Sequence, residues 1–119
     1  MERFRFGSDA AFAPREELLQ GVTVAPLSTP IGHSSAFQAA VFRIAPGGRI
    51  ARHPATYPQI LAVLEGTGTV VGAEGNVEDI SAGHAVFWAQ GEEHETTTAA
   101  GLTALIIEGD GLEPFRKPV

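Results

Sequence analysis

The sequence predicts an all-β protein folded as an antiparallel sandwich or barrel. Short segments rich in Val, Ile, Leu, Phe and Thr alternate with Gly- and Pro-containing turn signals at 46–48, 66–68, 72–76, 81–83, 90–91, 100–101 and 109–111. Turns that follow one another so closely leave room for strands but not for the crossover helices of a parallel sheet. The 119 residues, 44% of them hydrophobic, suffice for one core and are too few for two, so we expect a single domain. Its expected parts are an N-terminal arm of about residues 1–35, a barrel of about 36–110 and a tail of 111–119.

The N-terminal arm carries the best helical signal of the chain. Pro14 suits the first turn of a helix, and Glu16 and Glu17 suit its positive end. Gly21 is placed to end such a helix. We therefore expect at most one short helix, over Pro14–Gln20.

The expected barrel strands carry apolar residues on both faces. Every residue from Ile60 to Leu64 is apolar, and Ala104–Ile107 and part of Val41–Ile44 are similar. A strand with one face in water would alternate apolar and polar residues, so both faces of these strands are expected to be covered. One face would line the barrel, and the other would meet a second subunit in a homodimer. The alternative cover is a set of aromatic residues from the arm, Phe4, Phe6 and Phe12.

The charge and composition argue against several classes of function. The net charge is -6, and 8 Lys and Arg residues do not supply the basic patch that nucleic acid or an anionic membrane surface requires, so we expect neither as a partner. No apolar run approaches the length of a membrane span. The absence of Cys removes disulfides, thiolate nucleophiles and sulfur-ligated metals, and it fits a cytoplasmic protein.

Two glycine-punctuated stretches hold the histidines that indicate a site. In the first stretch, Gly47 is followed after five residues by His53, and then by Gln59 and Gly66. Ala55 stands two residues after His53. Because residues of the same parity share one face of a strand, His53 and Ala55 are expected to point the same way.

The second stretch runs from Gly83 to Thr98. Gly91 lies within it, and His94 follows Gly91 after two further residues. Ala89 stands two positions before Gly91. A histidine in such a strand is more often a hydrogen-bonded structural residue than a ligand, so the two stretches carry more information together than either does alone.

The two stretches resemble the two motifs of the cupin family. That family has a second His where Ala55 stands, a Glu where Gln59 stands, and a Pro and an Asn where Ala89 and Thr98 stand. The resemblance implies a small single-domain cupin with a jelly-roll barrel, also called a double-stranded β-helix, which pairs into a homodimer. It does not imply one activity, because cupins host many unrelated chemistries.

The resemblance also implies a metal site inside the barrel. In cupins the two motif-one His, the Glu and the motif-two His converge on one ion, and the matching set here is His53, Gln59 and His94. Ala55 cannot be a ligand. Two imidazoles and one amide oxygen supply no negative charge, which argues against Mg or Ca, whereas Zn, Ni, Fe, Cu or Co could use the two nitrogens.

Two residues are candidates for catalysis. His94 is the default general base, since imidazole is the side chain here that titrates near neutrality. Tyr57 lies between His53 and Gln59, where its phenol could bind a ligand at the mouth of the barrel. The alternative for Tyr57 is packing between the neighbouring prolines.

Strand parity sorts the neighbours of His94. Thr96 and Thr98 share its parity and are expected to line the cavity, whereas Glu93 and Glu95 are expected to point away unless the strand bulges. His33 is a possible third imidazole of the site. His84 follows Gly83 in a turn and is expected in solvent.

Three functions fit these observations. The first is a metal-dependent cupin enzyme of the isomerase, lyase or dioxygenase type that acts on a small organic molecule. The second is a metal-free cupin that binds a small ligand, as a sensing module or with a histidine as general base. The third is a structural or regulatory module whose barrel is filled by its own side chains. The replacement at Ala55 favours the second over the first, because it removes one ligand and opens space beside His53.

Overall fold

The computed structural model describes residues 1–32 and 35–116 and shows an antiparallel β-barrel. One 3-10 turn, Ser8–Ala10, precedes seven strands. The strands are β1 (Leu19–Pro26), β2 (Phe37–Pro54), β3 (Gln59–Val71), β4 (Val77–Ser81), β5 (Ala85–Trp88), β6 (Glu93–Thr97) and β7 (Leu102–Gly109). The predicted all-β jelly roll is therefore confirmed. Within the described residues no helix is long and apolar enough to cross a membrane.

Two long strands, β2 and β3, join the two halves of the barrel. β2 pairs with β7 through residues 37–44 and with β6 through residues 49–54. β1 also pairs with β2, over residues 40–50 of β2. β3 pairs with β5 and β7 near its start and with β4 and β6 near its end. Each long strand thus pairs with different neighbours near its two ends, which closes the one seven-stranded sheet into a barrel around one core.

The apolar core is built from the inward faces of six strands, β1 to β5 and β7, and from Ala55, which directly follows β2. It contains aliphatic residues and one Trp: Val22, Val24, Ile44, Ile50, Ala55, Leu61, Val63, Val70, Ile80, Trp88, Leu102, Ala104 and Ile106. Branched and aromatic side chains suit the pleated surface of a strand, so the same residues that favour strands also fill the barrel. The core leaves space at the end where Trp88 lies, and that end holds the histidines.

The predicted helix over Pro14–Gln20 is wrong. The segment runs without helical structure into a turn at Glu17 and Leu18, and β1 begins at Leu19. The Leu18 carbonyl accepts a hydrogen bond from the Ala51 amide at 2.7 Å. A helix of seven residues is marginal by itself because nucleation is unfavourable, whereas the same residues gain backbone hydrogen bonds by joining the edge of β2.

A β-bulge in β2 turns the site histidine inward. Ile50 is paired with Thr96, and His53 with His94, so the two residues Ala51 and Arg52 lie opposite a single residue of β6. Strict alternation from the buried Ile50 would have turned His53 outward, and the extra residue reverses this. His53 therefore points inward, as the buried Ile50 does, although an odd number of positions separates the two residues.

The outer face of β3 is covered only in part within the single chain. Leu61 and Val63 are buried in the core, while Leu64 is 49% exposed on the outer side. The aromatic residues of the arm do not bury themselves there: the exposed fractions of Phe4, Phe6 and Phe12 are 58%, 47% and 53%. The predicted homodimer thus has an apolar outer face available to it and stays a prediction.

Replacement of Gly66 by Ala should destabilise the barrel strongly. Gly66 has a φ of 85°, and a Cβ at this position would collide with the carbonyl oxygen of Gly101. The matched control is Gly75→Ala, since Gly75 has a φ of 76° with no atom within 4 Å of the added Cβ. We expect the control to lose about 1–2 kcal/mol of unfolding free energy from the backbone conformation alone, and Gly66→Ala to lose roughly 2 kcal/mol more. Urea unfolding of both variants measures this, and equal losses would contradict the role of the Gly101 contact.

The homodimer can be tested on the outer face of the sheet. Ile107 and Ile60 are paired neighbours on β7 and β3, and both are only partly buried in the single chain. Sedimentation of the wild type should give twice the 12.5 kDa mass of one chain. Ile107→Lys should give the single-chain mass, because a lysine in the apolar contact would have to be desolvated. A wild type that sediments as one chain at high concentration would refute the homodimer.

Candidate functional site

His53 and His94 meet across two strands inside the barrel. They are paired residues of β2 and β6, and their ring centroids lie 4.4 Å apart with an angle of 55° between the rings. Trp88 stacks on the other side of His94 with a centroid distance of 4.2 Å and an angle of 23°. His94 is only 2% exposed. The two imidazoles and the indole therefore form one ordered cluster, which we call the imidazole cluster.

Backbone carbonyls fix the orientation of both imidazoles. His53 Nδ1 lies 2.7 Å from the Ala51 carbonyl oxygen, and His94 Nδ1 lies 3.0 Å from the Glu92 carbonyl oxygen. A carbonyl only accepts, so each neutral ring carries its proton on Nδ1 and keeps a lone pair on Nε2. Ala51 belongs to the bulge of β2, which therefore both turns His53 inward and holds its ring.

The two Nε2 atoms face open space. No hydrogen bond within the described part of the chain engages either of them. Over the same residues, no buried side-chain nitrogen or oxygen lacks a partner. An unpartnered Nε2 must therefore be accessible, and both residues line the same cavity. Two imidazole lone pairs thus point into one space.

A second polar row crosses the barrel on β2, β7 and β3. Glu108 of β7 is paired with Gln38 of β2 on one side and with Gln59 of β3 on the other. The Gln38 Nε2 amide donates to Glu108 Oε1 at 2.6 Å, and the Gln59 Nε2 amide donates to Glu108 Oε2 at 3.2 Å. The Ile31 amide donates to Gln38 Oε1 at 2.8 Å, which orients that side chain. Glu108 is therefore held between two amides, and we call this set the Glu108 row.

The imidazole cluster and the Glu108 row line one cavity of about 450 Å³. This volume lies within the range of small-molecule sites in proteins. The other polar residues along its wall are Thr56, Thr96 and the exposed Glu16. Its apolar walls are Phe12, Leu18, Leu19, Val24, Phe42, Ile50, Ala55, Leu61, Trp88 and Ile106, together with two prolines. A cavity with mostly apolar walls and a few converging polar groups is suited to a small organic molecule.

Burial lowers the pKa of His94 below its ordinary value of 6.5. The main cause is desolvation of the charged ring, and the charge of a protonated His53 lowers the pKa further. The hydrogen bond to the Glu92 carbonyl opposes both effects. His94 is consequently neutral at pH 7, with its Nε2 lone pair free to accept a proton.

The structure places most of the predicted site residues as the sequence indicated. Ala55 is 3% exposed and lines the cavity together with His53, and Thr96 lines it beside His94. Glu93 and Glu95 do not contribute to the cavity wall, in agreement with strand parity. The expectation for Thr98 is wrong, because it is not part of the cavity wall. Its buried hydroxyl group donates to the Thr67 carbonyl and accepts from the Gly101 amide instead.

Three other predictions have different outcomes. Tyr57 is partly buried in the connection between β2 and β3 and is not part of the cavity wall, so its catalytic role stays a prediction. His84 lies exposed at a turn near Ser81, as expected. His33 falls outside the described residues.

Sequence reasoning missed Glu108 and Gln38. The signal was present, because Glu108 shares its parity with Leu102, Ala104 and Ile106, which all point inward along β7. A charged residue at the end of an otherwise apolar inward face is a departure from the pattern that indicates a site. Gln38 stands in the same relation to the inward face of β2.

The donor set fits a transition metal only in part. Among the described residues no three His, Asp or Glu side chains converge in a way that would hold an ion. Catalytic zinc sites in proteins have three protein ligands. His53 and His94 supply two, and the third would have to be the Gln59 Oε1 atom, because the Gln59 amide nitrogen is bound to Glu108. The negative charge that would strengthen the site is held in the Glu108 row instead.

Comparisons with known proteins agree with the fold and the motifs. The family model described as "Cupin domain" matches residues 40–108. The polyketide cyclase RemF from Streptomyces resistomycificus is 24% identical with a TM-score of 0.79, over 96% of this chain and 82% of that chain. An RmlC-like cupin from Shewanella frigidimarina is 20% identical with a TM-score of 0.74, over 98% and 97% of the two chains. Rru_A2000 from Rhodospirillum rubrum, a cupin-2 domain, is 17% identical with a TM-score of 0.74, over 99% and 80%.

No curated protein matches the chain. The likeness to the three solved structures shows the fold and leaves the activity open, because the identities are low. The family model is a stronger finding, since it spans more than half of the chain and includes His53, Gln59, His94 and Glu108. The matched residues form the barrel and the site described above, and this chain belongs to the cupin family.

Proposed function

We propose that this cupin binds a small, largely apolar organic molecule in its barrel and transfers a proton on it, with His94 as the general base. The observation that carries the proposal is the orientation of the imidazole cluster. Both rings are anchored through Nδ1, and both Nε2 lone pairs open into the same apolar cavity. A base must reach its proton with a free lone pair, and these two nitrogens have one.

His94 is the base of the pair. Burial lowers its pKa, so its ring is neutral at pH 7 and its Nε2 lone pair is free. His94 Nε2 would accept a proton from a carbon next to a carbonyl group and return a proton, or a deuteron in D2O, to the same carbon. The neutral His53 ring, whose centroid lies 4.4 Å from that of His94, would form the adjacent wall of the reaction space.

The apolar walls support this chemistry in two ways. They keep water from the reacting atoms, which strengthens the electrostatic interactions inside the cavity. Trp88 and the carbonyl of Glu92 hold the ring of His94 from two directions, so its Nε2 keeps one position. The similar fold RemF is a polyketide cyclase, and we therefore include compounds with several ketone groups among the test molecules below.

Exchange of carbon-bound protons tests the role of His94. A panel of small aromatic and aliphatic ketones would be incubated in D2O with the protein, and NMR would follow the loss of the protons next to the carbonyl. We expect His94→Gln to slow the catalysed exchange about 100-fold or more, because general base catalysis contributes at least that much. The control His84→Gln changes an exposed histidine and should leave the rate unchanged.

The same measurement has a pH dependence with a defined sign. Neutral His94 is the active form, so the rate should rise with pH and reach half of its maximum below pH 6.5, since the pKa of His94 is lowered from that value. A half-maximal rate at a pH above 6.5, or an equal loss in His84→Gln, would contradict the proposal. Binding of a ketone without any exchange would favour the ligand-binding or sensing module.

A metal-dependent site with the predicted ligands His53, Gln59 and His94 is the second candidate. It is favoured by the backbone hydrogen bonds to both Nδ1 atoms, because histidine ligands of metals are usually oriented in this way through the other ring nitrogen. A divalent transition metal bound there would polarise a carbonyl oxygen of the bound molecule. With two imidazoles and an amide oxygen as ligands, the ion would be held more weakly than in a complete cupin set.

Elemental mass spectrometry separates the two candidates. The untagged protein would be purified without chelators or a nickel column, together with His53→Ala, His94→Ala and the control His84→Ala. We expect any Zn, Ni, Fe, Cu or Co to be lost on dialysis against a chelator while the proton exchange persists. Near-stoichiometric metal that survives dialysis in the wild type and His84→Ala, and is missing from the other two variants, would establish the metal-dependent site instead.

A further inference from the structure

We propose that Glu108 makes the cavity selective for molecules that present hydrogen-bond donors, and that it excludes anions. The inference rests on the proposed function in so far as both use the same cavity, and it names the class of molecule that enters. It is carried by the hydrogen bonds of the Glu108 row and by the charges of the cavity wall, and it does not depend on the chemistry of His94.

The carboxylate of Glu108 has no cationic partner in the described structure. Ion pairs within the described residues join Arg5 to Asp9 and Arg52 to Glu93, and neither includes Glu108. Its partners are the neutral amides of Gln38 and Gln59. These amides orient the carboxylate without neutralising it, so its negative charge acts on whatever occupies the cavity.

Each of the two amides donates one N–H to Glu108 and keeps a second N–H. The Gln38 oxygen is occupied by the Ile31 amide, and the Gln59 oxygen has no partner among the described residues. The acceptors left for a ligand are the Gln59 Oε1 atom, the Nε2 atoms of His53 and His94, and the remaining lone pairs of Glu108, and of these only Glu108 carries a negative charge. Acceptors in a partly desolvated cavity need donors from the ligand, because an unpaired polar group is costly.

The charge on the cavity wall is negative. It is carried by Glu108, and over the described residues no Lys or Arg side chain lines the cavity. A carboxylate or phosphate on the ligand would meet like charge between apolar walls, where water screens poorly. A hydroxyl or ammonium group would instead form a charge-assisted hydrogen bond with Glu108.

Glu108 is also accessible from two spaces. A smaller cavity of about 210 Å³ adjoins the first, and both share Gln38, Phe42, Ile106 and Glu108 in their walls. The carboxylate thus lies at the junction of the two cavities. A molecule in either space, or one that spans both, would meet this group.

The single Trp of the chain provides a direct readout of binding. Trp88 lines the cavity and is 2% exposed, so quenching of its fluorescence reports an occupied barrel. Three probes share a 3-hydroxyphenyl scaffold and differ in one substituent, which sets their charge at pH 7: 3-hydroxybenzyl alcohol is neutral, 3-hydroxybenzylamine is cationic and 3-hydroxybenzoate is anionic. Each would be titrated into the wild type, into Glu108→Gln and into the control Glu16→Gln, whose carboxylate lies outside the Glu108 row.

We expect the wild type to bind the alcohol and the amine at least about tenfold more tightly than the benzoate, since like charge and a lost charge-assisted bond act together. Glu108→Gln should reduce this preference to about threefold or less, and Glu16→Gln should retain most of it. Whichever of these two probes binds more tightly identifies the class of the natural ligand. Tighter binding of the alcohol indicates a hydroxyl-bearing ligand, and tighter binding of the amine indicates an organic cation. Either order supports the proposal.

Three outcomes would overturn the proposal. They are benzoate binding as tight as that of the other probes, an unchanged preference in Glu108→Gln, and the absence of quenching by any probe. If Glu108→Gln does not fold, the order of the three probes in the wild type still decides. If the proposal for Glu108 fails, the proposal of proton exchange by His94 still stands, because its experiment uses different molecules and a different variant.

Discussion

The bulge at Ala51 and Arg52 in β2 is the constraint on which the site depends. Side chains alternate along a strand, so without the extra residue the buried Ile50 and the site histidine His53 would point to opposite faces. With it, His53 stands opposite His94, and the carbonyl of Ala51 accepts the hydrogen bond that orients its ring. The lone pairs of both imidazoles then meet in one cavity, which is the arrangement that the proposed chemistry uses.

The site differs from the motif of the family in where it places negative charge. Ala55 and Gln59 occupy the positions of a His and a Glu, so the motif position of the Glu supplies no carboxylate to the imidazole cluster. The carboxylate instead stands on β7, where Glu108 is held by two amides from the neighbouring strands. This separation weakens a metal site, because the anionic ligand is missing, and it gives the cavity a charged group that is free to recognise a ligand.

Some glycines and threonines of the motifs, such as Gly66 and Thr98, stabilise the backbone of the barrel. Gly66 passes the Gly101 backbone so closely that a Cβ has no room, and its positive φ suits glycine. Thr98 ties the same region together through hydrogen bonds to Thr67 and Gly101. These contacts hold the end of β6 and the start of β7, so the strands that carry His94 and Glu108 keep a fixed register. The motif is thus partly a site and partly the frame that positions it.

The sequence by itself determined the β-barrel and the family, because these follow from turn spacing and motif positions, and strand periodicity placed Ala55 with His53 and Thr96 with His94. The inward direction of His53 was decided by the bulge at Ala51 and Arg52, which depends on the pairing with β6. Tertiary structure decided what depends on pairing between distant strands. The segment before Gly21 became a turn and a strand through hydrogen bonds with β2 that no local pattern encodes. Glu108 became part of the site because β7 lies between Gln38 and Gln59, residues 70 and 49 positions away in the chain. Local periodicity reports the face of a strand, whereas register and bulges decide which faces meet.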